Sequence, residues 1–294
     1  MNTPTSFNQY LAQNYTKGTA RRYARSVRML LQAFGSQDAV EQASFRDITN
    51  YLHEMRKQKL SSEHIRTELS GIKALYTYLV LAGKRMDNPT LNLYIHNTKR
   101  KDIQFQNLFS RQELEQLLER ESRYKLLRNR NKLILSLYIY QGLTTGEIQK
   151  LHLDDLDVDR ATVLIKAGTN TNSRILPLES NQVLFLDRYV NKERSELVKL
   201  ENYAGSQLFL GKLGSPITND QIHYLVESQR FLFVQRKLNP KTIRQSVLVN
   251  LFKQGWDVKD VQLFAGHRFP STTERYKPQD LSELKEAVEK WHVW

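Results

Sequence analysis

The chain contains no cysteine and no long apolar run. The absence of cysteine excludes a disulfide framework and a thiolate metal site, and it suits a reducing compartment. The apolar runs fall short of the roughly 18 residues that a membrane-spanning helix needs, and the residues after Met1 lack the apolar stretch of a secretory signal. We therefore expect a cytoplasmic protein that is not inserted in a membrane.

Two kinds of catalytic signature are missing as well. The sequence has no glycine-rich loop of the kind that cradles nucleotide phosphates, and no carboxylate cluster with the spacing of metal ligands. The sequence therefore indicates no site for a nucleotide cofactor or a metal ion, and neither is expected.

The chain has no excess of acidic residues, since 44 lysines and arginines stand against 31 aspartates and glutamates and give a formal net charge of +13. A basic excess of this size usually indicates a polyanionic partner, either nucleic acid or an anionic membrane surface. With 294 residues the chain is long enough for two domains of ordinary size.

Residues 1–95 have the pattern of a bundle of short amphipathic helices. Three apolar stripes with helical spacing carry this prediction: Tyr23, Val27, Leu30, Leu31 and Phe34; Ile48, Leu52 and Met55; and Ile65, Leu69, Ile72, Tyr76 and Leu79. Basic residues recur on other faces of these helices, namely Arg21, Arg25, Arg28, Arg66 and Lys73. A basic face on one helix is usually only solvated, but its repetition on successive helices favours contacts with phosphate groups.

A basic linker is expected between this bundle and a second domain. Asn88 precedes a proline, which disfavours helix at that position and ends the helical pattern. Residues 96–109 form the expected linker, and its Lys99 and Arg100 are further candidates for phosphate contacts. Ser110 opens a capping-box pattern, so the second domain is predicted to span residues 110–294.

The second domain is expected to combine helices with a small β-structure. Residues 131–140 are rich in apolar residues and predict a buried helix. Ala161–Ile165 and Ile175–Leu178 predict two strands around the polar turn Gly168–Ser173. The chain after Asn219 has again a mainly helical pattern, so the predicted fold class is mainly α with a small β-hairpin or sheet.

Three segments of the second domain carry the residue types that phosphate chemistry requires. Pro240–Arg244 contains the pattern Lys-x-x-Arg, a Gly-His pair ends at His267, and Tyr276 follows nine residues later. Upstream, Gln141–Ile148 has the sequence Gln-Gly-Leu-Thr-Thr-Gly-Glu-Ile. A tyrosine hydroxyl is a weak nucleophile near neutral pH, so it needs neighbours that position it and neutralise charge on the group it attacks.

Together these segments resemble the active-site boxes of the tyrosine recombinases, which include the phage integrases and the Xer-type resolvases. The resemblance implies a helical core-binding, SAM-like domain followed by a recombinase catalytic domain. It also implies that Tyr276 attacks a phosphate of double-stranded DNA to form a 3′-phosphotyrosine and that Arg244 clamps this phosphate. Lys241 and His267 would orient the phosphate and assist proton movement.

Two positions depart from the pattern of the resembled family. Thr144 stands where the first box has arginine, and Thr169 stands where the hairpin turn has a lysine that acts as general acid. Lys166, three residues before Thr169, is the candidate replacement for that lysine. Arg174 is counted among the DNA contacts, and Arg174, Arg268 or Arg275 could supply the missing positive charge.

These departures leave two main hypotheses open. The first is a site-specific DNA recombinase that serves a mobile element or the maintenance of a chromosome or plasmid. The alternative is a catalytically impaired, recombinase-fold accessory protein that binds DNA. Thr144 and Thr169 favour this alternative, whereas the intact Arg244, His267 and Tyr276 argue against it. A third and weaker hypothesis is a DNA-binding regulator built only on the N-terminal bundle.

The C-terminal segment suggests how copies of the chain assemble. Residues 280–294 have an amphipathic helical pattern with Leu281, Leu284, Val288 and Trp291 on one face. Such a helix could pack on its own domain, but in the resembled family the C-terminal segment commonly packs on a neighbouring subunit. The resemblance therefore implies self-association into a tetrameric synapse on DNA. A partner recombinase or an accessory protein is a further candidate partner.

Overall fold

The computed structural model describes residues 6–95 and 103–278. The chain divides into two compact units, residues 1–101 and residues 102–294. The predictions for Lys99, Arg100, residues 96–102 of the linker and the tail helix at 280–294 fall outside the described residues. Within the described ranges, no helix is long and apolar enough to cross a bilayer.

The described part of the N-terminal unit is a bundle of five helices. Their bounds are Phe7–Asn14 for α1, Lys17–Phe34 for α2, Gln37–Gln42 for α3, Phe45–Lys57 for α4 and Ser62–Leu81 for α5. Each helix begins after a serine or threonine whose side chain accepts a hydrogen bond from a backbone N–H of the first turn. These caps satisfy donors that a helix start otherwise leaves unpaired, and therefore they fix where each helix begins.

The apolar stripes form the core of this bundle, as predicted. The stripe residues of α4 and α5 are all buried, and those of α2 are buried or half-buried against them. Helices α2 and α5 cross closely at Gly71, where an added Cβ would lie only 2.7 Å from Cβ of Ser26. The buried phenol of Tyr76 donates to the carbonyl of Val40 at 2.7 Å, and burial raises its pKa to about 12.

The C-terminal unit contains nine further helices and three strands among its described residues. The first helices are α6 at Arg111–Glu119, α7 at Arg128–Tyr140 and α8 at Thr145–Gln149, and the strands are β1 at Leu156–Asp157, β2 at Thr162–Ile165 and β3 at Arg174–Pro177. The remaining helices are α9 at Ser180–Arg188, α10 at Ser195–Glu201, α11 at Asn219–Glu227, α12 at Pro240–Lys253, α13 at Val258–Ala265 and α14 at Pro270–Glu274. A π-helical turn at Tyr189–Arg194 joins α9 to α10.

The three strands form one antiparallel sheet in the order β1-β2-β3. Val163 pairs with Leu176, and Ile165 pairs with Arg174. The predicted hairpin is therefore present, and the short strand β1 was not predicted. The fold class, mainly α with a small β-sheet, is confirmed.

Helix α7 is the centre of the C-terminal unit. Leu133, Ile134, Leu135, Leu137 and Tyr138 are all almost completely buried, so this stretch of the helix is enclosed on every side. Helix α7 begins at Arg128, three residues before the start that the apolar run predicted. Its first turn is bound by a carboxylate from a distant segment instead of by a hydroxyl just before the helix. Glu193 of the π-helical turn accepts the backbone N–H groups of Asn129 and Arg130.

Candidate active site

Arg244 is held at the meeting point of three segments. It lies one turn into α12, and its side chain is buried. Its guanidinium donates to the carbonyl of Gly142, to the carbonyl of Ala265 at 2.7 Å and to Nε2 of His267 at 3.1 Å. Burial lowers the pKa of Arg244, and the nearby carboxylate of Glu147 opposes this change. The chain thus fixes this cation in one orientation before any ligand is bound.

His267 is held as a neutral ring beside Arg244. An arginine can only donate, so Nε2 of His267 must accept its hydrogen bond, and Nδ1 then carries the ring proton. Nδ1 lies 2.9 Å from Oγ1 of Thr273 in α14 and donates to it. Burial lowers the pKa of His267 to about 4, and the charges of Arg244 and Arg174 add to this effect. Near neutral pH the ring therefore orients its neighbours without adding charge.

Tyr276 lies directly after α14 and stacks on the histidine. The rings of His267 and Tyr276 are nearly parallel at 20°, and their centroids are 5.9 Å apart. The half-buried ring of Tyr276 also packs against the small apolar cluster of Leu248, Val261 and Ala265. The three residues therefore lie next to one another in the order Arg244, His267, Tyr276.

Glu147 is the counter-charge of this cluster. Its carboxylate accepts hydrogen bonds from the backbone N–H and the hydroxyl of Thr144, at 2.8 and 2.9 Å. These bonds go to Oε2, which also lies 3.9 Å from Nη1 of Arg244, and the other oxygen, Oε1, accepts from Nη1 of Arg174 at 2.8 Å. Burial alone would raise the pKa of Glu147, but the hydrogen bond and charge of Arg174 outweigh it and lower the pKa. The carboxylate is therefore ionised and surrounded by donors.

Arg174 is the second buried arginine of the site. Strand β3 alternates between buried and exposed residues, and Arg174 shares its buried face with Leu176. The main chain of the hairpin turn holds this region against the histidine segment, because the N–H of Asn172 donates to the carbonyl of Gly266 at 2.8 Å. The turn thus brings Arg174 to the carboxylate of Glu147.

The other predicted catalytic residues lie outside this hydrogen-bonded cluster. Lys166 is exposed and forms an ion pair with Asp155 at 2.7 Å, so its ammonium points to the 3₁₀ turn before β1. Thr169 is an exposed residue of the hairpin turn. Lys241 is exposed in the first turn of α12, three residues before Arg244 and hence on the same side of the helix.

The predicted phosphate contacts of the N-terminal unit are surface residues with one exception. Arg21, Arg25 and Arg28 are exposed along one face of α2, and Arg66 is exposed on α5. Lys73 is half-buried instead. Its ammonium lies 4.2 Å from the centre of the Tyr94 ring and donates to the carbonyl of Leu91.

Sequence reasoning left the partner of Arg174 unassigned, although one signal was available. An arginine at the start of an alternating strand falls on the buried face when the next residue but one is a core leucine, here Leu176. Such a buried cation needs an ionised partner.

Among the described residues, no group of three or more histidine, aspartate or glutamate side chains has an arrangement that could hold a metal ion.

The comparisons with known proteins cover both units of the chain. Residues 107–282 match the Phage integrase family, and residues 5–83 match the family described as Phage integrase, N-terminal SAM-like domain. The chain is 26% identical to tyrosine recombinase XerD of Oceanobacillus iheyensis over 286 residues, which cover 96% of this chain and 94% of that protein. It is 27% identical to tyrosine recombinase XerC of Lactobacillus delbrueckii subsp. bulgaricus over 279 residues, or 92% of either chain.

Two solved structures share the fold. One is the XerH site-specific recombinase bound to difH substrate in a pre-cleavage complex, with a TM-score of 0.70, 22% identity and coverage of 98% of this chain and 85% of that chain. The other is the Tn1549 transposon integrase in complex with transposon right end DNA, with a TM-score of 0.64, 19% identity and coverage of 98% and 100%. Since the Phage integrase match spans more than half of the sequence, the chain belongs to this family, the tyrosine recombinases.

Proposed function

We propose that the chain is a site-specific DNA recombinase that cuts and rejoins strands of double-stranded DNA through a 3′-phosphotyrosine at Tyr276. The observation that carries this proposal is the fixed order of Arg244, His267 and Tyr276, two of them buried and the third stacked on its neighbour. A protein that only binds DNA has no need for a preorganised cation beside a phenol. The related structures with bound DNA support the choice of substrate.

The proposed step is a phosphoryl transfer. The phenol oxygen of Tyr276 forms a bond to the scissile phosphorus, and the bond from phosphorus to the 5′-oxygen breaks. The phenol loses a proton and the 5′-oxygen gains one, so the products are a 3′-phosphotyrosine and a free 5′-hydroxyl. Attack by the 5′-hydroxyl of another strand reverses the step and rejoins the DNA. One phosphodiester replaces another, and therefore no external energy source or cofactor is needed.

Arg244 has donors to spare for this phosphate. A guanidinium carries five N–H donors, and three are used by Gly142, Ala265 and His267. The other two, five minus three, can bind the nonbridging oxygens, on which negative charge develops as Tyr276 attacks. We assign to His267 the positioning of Arg244 and of the tyrosine ring, and to Lys241 a contact with the phosphate.

The proton for the leaving 5′-oxygen is assigned to Lys166 on the strength of the family resemblance. This lysine has to leave Asp155 to reach a substrate. The lysine side chain is 63% exposed, but that of Asp155 is only 3% exposed. Release of Lys166 therefore leaves a buried carboxylate without its cation, which opposes this movement. Arg21, Arg25, Arg28 and Arg66 are proposed as phosphate contacts of the N-terminal unit.

The alternative, an accessory DNA-binding protein without strand cleavage, would explain Thr144 and Thr169. Covalent trapping on a nicked suicide substrate separates the two proposals, because it detects the tyrosine-linked intermediate itself. We expect the unmodified chain to form a covalent adduct with DNA and Tyr276→Phe to form none. Tyr224→Phe, at a tyrosine that is 74% exposed, is the matched control and should form adducts normally. Absence of an adduct with the unmodified chain would favour the accessory protein.

We further propose that four copies assemble on paired DNA sites and that residues 280–294 pack on a neighbouring copy. Exchange of one element around a ring is a heterologous contact, which can close a cyclic assembly. Deletion of residues 281–294 should leave binding to a single site intact and abolish the joining of two sites. A truncated protein that still joins two sites would show that this segment belongs to its own domain. The biological role proposed is service to a mobile element or to chromosome or plasmid maintenance.

A further inference from the structure

We infer that Arg174 is the second guanidinium of the phosphate clamp and takes the role that Thr144 cannot fill. This inference rests on the proposed function and adds a catalytic residue to it. It is carried by the position of Arg174, by its unpaired donors and by the contacts of Thr144.

The first argument is the shared carboxylate. Oε1 of Glu147 accepts from Arg174 at 2.8 Å, and Oε2 lies 3.9 Å from Nη1 of Arg244. One carboxylate therefore has a guanidinium at each of its oxygens. Two positive charges face one negative charge, and the excess cation favours an additional anion at this place. A phosphodiester, which carries one negative charge, is an anion of this kind.

The second argument is the state of the Arg174 donors. Nη1 is satisfied by Glu147, whereas Nε and Nη2 are buried and have no hydrogen-bond partner within the described structure. A buried unpaired donor is costly, and proteins rarely keep one without a reason. Nε and Nη2 lie on the same edge of the guanidinium plane, and that edge matches two oxygens of a phosphate. The arginine is thus held by one atom and unpaired along the edge that recognises phosphate.

The third argument is that Thr144 is already occupied. Its hydroxyl donates to Oε2 of Glu147 and accepts from the backbone N–H of the same residue, so it caps the start of α8. While its hydroxyl forms these two hydrogen bonds, the short side chain of Thr144 is not free to contact a phosphate. Thr144 thus completes the binding of the carboxylate that orients Arg174.

The neighbouring backbone keeps Arg174 in place. Gly266 has a left-handed φ of +69°, and a Cβ at this position would lie 2.5 Å from Nη1 of Arg174. The guanidinium therefore fills the space that the missing side chain leaves beside His267. Arg174, Gly266 and His267 also line an open groove of about 810 Å³.

The test compares single-turnover cleavage by Arg174→Gln and by the unmodified chain on the suicide substrate, with protein in excess over its single-site Kd. We expect Arg174→Gln to cleave at least roughly 10²-fold more slowly and to bind a single site within a few-fold of the unmodified affinity. Arg130→Gln is the matched control, since Arg130 is also buried but donates to the carbonyl of Leu210 and to Asn131. It should lower the melting temperature without a selective loss of cleavage.

A second substrate distinguishes a phosphate clamp from a structural role. In a methylphosphonate at the scissile position, a methyl group replaces one nonbridging oxygen and removes the negative charge. A clamp that neutralises this charge is then less important, so Arg174→Gln should lose much less activity on this substrate. Equal losses on both substrates would overturn the inference, because a structural defect does not depend on the charge of the phosphate.

Thr144→Arg alone covers the case in which Arg174→Gln fails to fold, because faster cleavage by this variant would contradict the inference. A double variant adds a test by restoration of cleavage. Thr144→Arg in the Arg174→Gln background supplies a guanidinium from the neighbouring position and should restore cleavage at least in part, whereas Thr144→Arg alone should slow cleavage by competing for Glu147. Failure of the double variant to exceed Arg174→Gln while remaining folded contradicts the inference. The two proposals fail separately: no adduct with the unmodified chain rejects the recombinase, whereas normal cleavage by Arg174→Gln rejects only the clamp.

Discussion

The arginines of the two units differ in what surrounds them. Arg21, Arg25 and Arg28 lie exposed along α2, and the bundle packs its core behind them. Arg174 and Arg244 are buried in the C-terminal unit, where the carboxylate of Glu147 binds Arg174 and two main-chain carbonyls bind Arg244. The same residue type therefore occurs in one chain as an exposed surface charge and as a fixed interior charge.

The exposed arginines are expected to affect the affinity for DNA, and the buried arginines the rate of strand cleavage. An exposed arginine contributes to binding by releasing counterions from DNA, and its exact position matters little. A buried arginine has already lost its hydration and is oriented before the substrate arrives, so it can stabilise charge that develops in the transition state. We therefore expect substitutions in the two groups to affect different measurements.

The largest effect is expected at Arg244. Arg244→Lys keeps a positive charge but loses the fork and its three fixed hydrogen bonds, so single-turnover cleavage should fall by roughly 10²–10³-fold, or about 2.7–4 kcal/mol. Affinity for a single DNA site should change little. The measurement is covalent adduct formation at saturating protein. If Arg244→Lys cleaves at the normal rate but binds DNA weakly, Arg244 contributes to affinity only, as is expected of the surface arginines.

The sequence predicted the N-terminal bundle well because its helices carry regular apolar stripes and serine or threonine caps. All apolar residues of the α4 and α5 stripes are buried. The hairpin also followed from alternation and a polar turn. Strand β1 was missed because two residues, Leu156–Asp157, are too short for a periodic signal. The early start of α7 was missed because its cap, Glu193, is distant in sequence.

The site was predictable only where local motifs define it. The resemblance of their motifs to the tyrosine recombinase boxes nominated Arg244, His267 and Tyr276, and the structure brings the three residues together. The sequence could not place Arg174 beside Glu147, since that ion pair joins residues 27 positions apart through the docking of a hairpin turn. Nor could it show that Lys166 pairs with Asp155. Contacts between side chains of distant segments depend on packing that no local pattern records.

The second effect in size is expected from Gly266→Ala, which disturbs a buried arginine without changing any charge. The new Cβ would meet Nη1 of Arg174 at 2.5 Å, so the guanidinium must move. Misplacement of a clamp on this scale can slow cleavage by up to roughly 10²-fold. Gly255→Ala is the matched control, because its φ is +90° and a Cβ there meets nothing within 4 Å.

Both glycine variants should lose about 1–2 kcal/mol of unfolding free energy from left-handed strain, measured by chemical denaturation. Only Gly266→Ala should also lose cleavage. Equal cleavage by the two variants would show that the position of Arg174 is unimportant for the reaction.

A smaller effect concerns the pH dependence of stability. His267 has a pKa of about 4 in the folded protein against an ordinary value of 6.5, so the unfolded chain binds more protons between these values. The contribution of His267 to stability is therefore fully present above pH 6.5 and is lost as the pH falls towards 4, by on the order of 2 kcal/mol. His267→Gln should lose less stability over this range than the unmodified chain.

The matched control for this measurement is His53→Gln, because His53 is exposed on α4. It should have the same pH dependence as the unmodified chain. If His267→Gln also follows the unmodified curve, the ring is not held neutral by its buried surroundings, and the distinction between interior and surface charge is weaker than proposed.

The smallest effect on chemistry is expected from the surface arginines. Replacement of Arg21, Arg25 and Arg28 by glutamine should leave the cleavage rate at saturating protein unchanged, because these residues lie in the unit that lacks the active-site cluster. The salt dependence of binding should weaken instead, by about 0.9 in the slope of log K against log[salt] for each lost phosphate contact.

A control triple, Arg46→Gln, Arg56→Gln and Lys57→Gln on α4, removes the same charge from another helix. A larger loss for the α2 triple locates the DNA contact on that face, whereas equal losses would mean that only the net charge of the bundle matters. A fall in the saturated cleavage rate would break the comparison altogether, since an exposed charge would then act on chemistry as the buried arginines do.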